Sequence, residues 1–253
     1  QGYSSAASDV YKRQIYNNLG LVYRSKGDYP KAEDLYGCAL CIREEIYASD
    51  HPMVLATKNN IAQVYASEER YGEAISLFET VIREYRENST EDSAFLATVY
   101  DNLSTAYREM ERYEDAIDIC TEGLNIRKDI YGKRSLDYAI SLNNLALIYY
   151  EMGILNDAAD IFSEALAIKK ETLPEIHGQI SIGYFNLGLV YDKLHRDNEA
   201  LENYRASMEI DNELEAYEDV LLTAEYIAEI YERNDMPEDA EAYRTLCSKD
   251  DVH

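Results

Sequence analysis

The sequence predicts an all-α chain: a solenoid of about six helix-turn-helix repeats. Two observations predict it. Leu19 is followed at a constant step of 42 residues by Ile61, Leu103, Leu145 and Leu187, and Tyr23 by Tyr65, Tyr107, Tyr149 and Tyr191. Ala32 recurs in the same way as Ala74, Ala116, Ala158 and Ala200, and a last step of 40 leads to Ile227, Tyr231 and Ala240. A fixed period of this size marks a unit that stacks on copies of itself. Within each period the apolar residues recur at helical spacing, and no stretch alternates as a strand would.

The first copy opens with Ile15, Leu19, Val22 and Tyr23 on one helical face and breaks at Lys26-Gly27-Asp28. Tyr29-Pro30 opens a second helix carrying Ala32, Leu35, Tyr36, Ala39 and Leu40, with Pro where its missing N–H has no partner to lose. Asp50-His51-Pro52 reads as an N-cap followed by Pro just inside the next helix. The second copy turns at Glu69-Arg70 and ends in the Asn88-Ser89-Thr90 loop, a glycosylation sequon that would stay inert in a cytosolic protein. Helices are expected around 94–109 and 113–131, 136–152 and 155–172, 179–194 and 198–210, and 217–233 and 237–247. Repeats thus start near 15, 57, 99, 141, 183 and 223, in one continuous array. Each Leu or Ile of the register is followed by a small residue (Gly20, Ala62, Ser104, Ala146, Gly188, Ala228), which lets the two helices of a pair approach closely. A large side chain there would overpack, at about 1–3 kcal/mol.

The segment from Gln1 to Gln14 precedes the pattern. Its end, Asp9-Val10-Tyr11-Lys12-Arg13-Gln14, reads as an in-frame translation of a transposon-type sequencing adapter, which sets residues 1–14 apart from a repeat array over 15–253. If so, the natural chain continues upstream. The first helix pair would then expose an apolar face and could self-associate through that uncapped end.

The 253 residues carry 49 acidic and 24 basic side chains, a net charge of −25. Such a chain repels phosphate backbones, so nucleic acid is not an expected partner. It attracts basic partners over long range. No apolar run is long enough to span a bilayer, so no membrane partner is expected either. Four Cys at irregular places make no disulfide framework and fit a reducing cytoplasm.

Tyr16, Leu19, Gly20, Tyr23, Ala32 and Tyr36, repeated as Tyr184, Leu187, Gly188, Tyr191, Ala200 and Tyr204, resemble the tetratricopeptide repeat. The usual Trp is replaced by Tyr or Leu, and by Lys58 in the second copy. The last aromatic is Cys120 in the third copy and Arg244 in the sixth. The 42-residue step, with Ile42-Arg43-Glu44, Asp50-His51-Pro52 and Asn59-Asn60, looks like the kinesin-light-chain type of this repeat. The resemblance covers about residues 15–247. It implies a right-handed α-solenoid whose first helices line a concave groove that grips a peptide or protein segment.

One residue before each of the first five register residues stands Asn: Asn18, Asn60, Asn102, Asn144 and Asn186. An Asn amide both donates and accepts, and the resemblance implies a ladder that holds a peptide backbone. The alternative is a set of hydrogen bonds within the array. Gln63, Arg24, Arg108 and Tyr150 lie one or two turns along the same face; the two Arg would meet ligand carboxylates or be neutralised by Glu109 or Glu111. The Lys that clamps a terminal carboxylate in chaperone-binding members is replaced at one of its places by Gln14, Ala56, Thr98, Ile140 and Ile182. Cys38-x-x-Cys41 is expected on a packing side. His195-Arg196-Asp197 falls at a repeat turn, and no phosphate loop or nucleophile elbow is present. The expectation is a protein-binding module without catalytic residues, metal or cofactor. The other reading is the regulatory arm of a larger signalling enzyme or transcription regulator.

Overall fold

A computed structural model describes the backbone of residues 2–89 and 93–248 and the side chains of residues 14–89 and 93–246. Among the described residues there are twelve helices and no strand. They are α1 (Gly2–Ser25), α2 (Tyr29–Glu44), α3 (Pro52–Ser67), α4 (Tyr71–Asn88), α5 (Ala94–Glu109) and α6 (Tyr113–Tyr131). Then follow α7 (Leu136–Glu151), α8 (Leu155–Thr172), α9 (Gly178–Lys193), α10 (Asp197–Glu213), α11 (Tyr217–Arg233) and α12 (Pro237–Ser248). The chain divides into two compact units, residues 1–126 and 127–253. In the first, α1 packs on α2, α2 on α3, α3 on α4 and α4 on α5; in the second, α7 through α12 pack in the same consecutive way.

The turn inside each repeat has one solution. Gly27, Glu69, Glu111, Gly153, His195 and Asp235 all adopt positive φ, between 56° and 78°. The following residue donates its N–H back to the register Tyr: Asp28 N to Tyr23 O at 2.9 Å, Arg70 N to Tyr65 O at 2.9 Å, Arg196 N to Tyr191 O at 2.8 Å. This is the left-handed helix stop that satisfies otherwise orphaned carbonyls. In three copies the residue after the stop is Arg and returns its side chain to the same Tyr: Arg70 lies 4.0 Å over Tyr65, Arg112 4.4 Å over Tyr107 and Arg196 4.6 Å over Tyr191. Two copies use Gly at the stop, where no Cβ opposes positive φ. Glu69→Gly and Glu111→Gly should therefore each stabilise their repeat by about 1 kcal/mol, slowing hydrogen exchange in α3–α6. Unchanged exchange would show that the Glu side chains offset the strain.

The turn between repeats is capped by a side chain in register. His51 Nδ1 accepts from Met53 N at 3.2 Å, Ser93 Oγ from Leu96 N at 3.2 Å, Ser135 Oγ from Tyr138 N at 3.2 Å, and His177 Nδ1 from Gln179 N at 3.1 Å. The cap of α3 is thus His51 and not Asp50, because Pro52 occupies the first helical position. At the last turn Ala216 stands at the cap with no side-chain bond. There α10 runs three residues past its expected end and stops with Glu215 at positive φ and Ala216 N bonded to Asp211 O at 2.9 Å. This tighter stop replaces the longer capped link and accounts for the shortened final step. Thr90 of the sequon lies outside the described residues.

Helix pairs lock through matched volumes sixteen residues apart. Gly20 faces Tyr36 and Gly188 faces Tyr204, where Ala62 is matched with Phe78, Ala146 with Phe162 and Ser104 with Cys120. A Cβ on Gly20 would lie 2.8 Å from the Tyr36 ring, and one on Gly188 would lie 2.5 Å from the Tyr204 ring. All five second-helix partners are at most 2% exposed. The larger ring thus goes with the smaller residue. In α1 the register is instead open to solvent: Leu19 is 40% and Val22 45% exposed, where Leu103 and Val64 are 1% and 0% exposed. Cys38 and Cys41 are exposed on α2, so their expected place on the packing side is corrected. The buried face of α2 is set by Ala32, Tyr36, Ala39 and Arg43, and the two Cys fall off that stripe.

Candidate functional site

The Asn register lies on the first helices. In the first unit Asn18 is exposed and Asn60 and Asn102 are half-buried; in the second, Asn144 is half-buried and Asn186 buried. Three of the five make the same bond to the preceding repeat. Asn60 Nδ2 donates to Asn17 Oδ1 at 3.3 Å, Asn102 Nδ2 to Asn59 Oδ1 at 3.1 Å, and Asn186 Nδ2 to Asn143 Oδ1 at 3.1 Å. Asn18 Oδ1 accepts from Gln14 Nε2 at 2.9 Å. Among the described residues the carbonyl oxygens of Asn60, Asn102 and Asn186 have no protein donor. At the last repeat interface an aromatic pair stands where the amide pair would be, with Tyr226 edge-on to Phe185 at 5.4 Å between centroids.

The acceptors Asn17, Asn59 and Asn143 were not read as site residues from the sequence. They too recur in the 42-residue register, one place before the ladder Asn and with Asp101 in the third copy, and that recurrence is the signal that finds them. Asn60, Asn102 and Asn186 are thereby each held by one N–H, which fixes the amide plane and keeps the carbonyl and second N–H in hand. An Asn has two N–H donors and an oxygen with two lone pairs, so one bond leaves most of its capacity unspent.

The neighbouring candidates are paired within their own units. Arg24 Nη1 donates to Gln63 Oε1, joining two expected site residues from consecutive repeats. Arg108 Nη2 donates to Glu109 Oε1, as one of the two readings of its sequence context required. In the second unit Tyr150 is half-buried on α7, with Lys193 Nζ 4.4 Å above its ring. Burial, reinforced by Tyr226, Asp192 and Glu151, pushes the Tyr150 hydroxyl pKa up, so it is a neutral donor at physiological pH. Among the described residues, no three or more His, Cys, Asp or Glu side chains are grouped to hold a metal, and no helix is long and apolar enough to cross a membrane.

Family models for the tetratricopeptide repeat match residues 11–87 and 95–171, and a second such model matches residues 183–214. The chain belongs to the tetratricopeptide repeat family. Its fold is similar to BtubC from P. vanneervenii, with a TM-score of 0.70 and 22% identity over 83% of this chain and 90% of that one. It is similar too to kinesin-light-chain TPR-like repeats of Podosopora anserina, with a TM-score of 0.67 and 20% identity over 79% and 95% of the two chains. A signal-transduction ATPase with a tetratricopeptide repeat sensor, from Pyrococcus horikoshii, superposes with a TM-score of 0.77 and 16% identity. That match covers 95% of this chain and 36% of the ATPase. No curated protein sequence matches the chain.

Proposed function

We propose that this protein is a non-catalytic, cytoplasmic binding module whose first-helix rows hold an extended segment of another protein. The observation that carries the reading is the register of Asn amides, three of which are held by one N–H with the carbonyl left open. A peptide backbone needs an acceptor for its N–H and a donor for its C=O, and a fixed Asn presents both. Asn18, Asn60 and Asn102 serve one row, with Arg24, Gln63 and Arg108 beside them; Asn144 and Asn186 serve the other, with Tyr150. The ligand is protein and not nucleic acid or membrane, and no cofactor takes part. The exposed Leu19 and Val22 on α1 support self-association through that face. The second reading, a regulatory arm of a larger signalling protein, is favoured by the likeness to the ATPase sensor.

The test begins with peptides selected from a random display library on the immobilised protein. Replacing Asn60, Asn102 and Asn144 together by Ala should weaken those peptides by about tenfold or more while helicity persists. Two inter-repeat bonds are lost in that variant, so thermal stability should fall by about 2 kcal/mol and binding is measured well below the new midpoint. Unchanged affinity would assign the ladder to the cohesion of the array alone.

A further inference from the structure

The second unit has a furrow that the Asn rows do not touch. It runs between α8 and α10, with α9 as its floor, and contains two hollows of about 660 and 450 Å3. Lys170 and Tyr184 line both hollows, and Lys170 Nζ donates to Tyr184 Oη at 2.8 Å where they meet. Tyr184 lies two residues before Asn186 on α9, about 200° around the helix, so the furrow and the Asn row occupy different faces. The lining at depth is apolar: Ile180 and Leu187 on α9 and Leu166 on α8 are at most 6% exposed, and Ile210 on α10 is half-buried.

Its larger end is acidic. Glu175, Glu209 and Glu213 line the 660 Å3 hollow, and among the described residues none of the three has a cationic partner. Glu209 and Glu213 stand four apart on α10, an arrangement of like charges that weakens a helix unless a cation lies between them. The lining of α10 from Asn203 to Glu213 spans about 15 Å, the length of about five extended residues.

We infer that this furrow is a second docking surface, for a short basic amphipathic segment of a partner protein. Aliphatic side chains would lie on Leu166, Ile180, Leu187 and Ile210, and a Lys or Arg would sit between Glu209 and Glu213. Charge complementarity selects that occupant: three carboxylates meet one lysine there, in a chain of net charge −25. This surface is independent of the Asn rows and stands or falls apart from them.

The experiment uses a fluorescein-labelled decapeptide of alternating Lys and Leu, its Glu–Leu counterpart, and fluorescence anisotropy at physiological ionic strength. The Lys–Leu peptide should bind, and Glu209→Lys/Glu213→Lys should weaken it by about tenfold or more. Glu238→Lys/Glu241→Lys on α12 makes the same change in net charge and should alter binding by less than about twofold. Ala206→Trp, which fills the hollow, should weaken binding as much as the furrow reversal, and the triple Asn variant should bind like the parent. Equal loss from both charge reversals would reduce the effect to general attraction by an acidic protein and overturn the proposal. So would failure of the Lys–Leu peptide to bind, or equal binding of the Glu–Leu peptide. Both charge reversals lie at exposed positions, so the comparison survives if Ala206→Trp does not fold.

Discussion

Replacing Lys58 by Leu should destabilise the second repeat by about 3 kcal/mol, the lower end of the range for stripping one partner from a buried ion pair. Lys58 is 8% exposed, and its Nζ lies 2.8 and 3.1 Å from the two carboxylate oxygens of Glu84. Glu44 approaches only to 3.9 Å. Loss of the ammonium leaves Glu84 charged with its side chain 18% exposed, enough water contact to hold the penalty at that lower end. The same two positions hold Tyr100 and Ile126 in the third repeat and Leu142 and Ile168 in the fourth, all buried. Lys58→Leu/Glu84→Ile should therefore recover most or all of the loss, because an apolar pair fits this interface elsewhere in the chain. A double-mutant cycle read by hydrogen exchange in α3 and α4 measures the coupling. A double variant as unstable as Lys58→Leu would show that this interface differs in shape from its neighbours.

Gly188→Ala should cost about 1–3 kcal/mol through overpacking. The added methyl would meet the Tyr204 ring at 2.5 Å, a distance at which the ring or the helix must move. The ring has little room, since Tyr204 is fully buried between Phe185 at 5.6 Å and Tyr226 at 5.5 Å. Its hydroxyl is buried with no hydrogen-bond partner among the described residues, so that atom contributes no bond that its removal would lose. Gly188→Ala/Tyr204→Phe recreates the Ala146 and Phe162 combination and should restore most of the lost stability, because a ring without its hydroxyl can slide along its own axis away from the new methyl. Tyr204→Phe alone should be neutral or stabilising, by up to about 1–3 kcal/mol, because an unsatisfied buried hydroxyl is removed. Thermal melts of the four variants check this. Strict additivity of the two changes would rule out the volume exchange.

The repeat period, the helix pairs and most of the helix ends, though not the end of α10, were legible in the sequence. Each is set by local chemistry: apolar residues at helical spacing, a small residue at the crossing, and a break at Lys26-Gly27 or Glu69-Arg70. Family membership followed from the same residues, and the comparisons bear it out. The partners within that frame depended on packing. Asn60 meets Asn17 and Asn186 meets Asn143, each across one period and one more residue, because neighbouring helices are staggered as they stack. That stagger belongs to the assembled repeats and has no local signature. For the same reason the pairing of Lys58 with Glu84 and the furrow over α9 emerged only from the fold, whereas the outward phase of Cys38 and Cys41 follows from the stripe of Ala32, Tyr36, Ala39 and Arg43 on their own helix. A period in sequence determines which positions are equivalent, whereas the tertiary structure decides which of them touch.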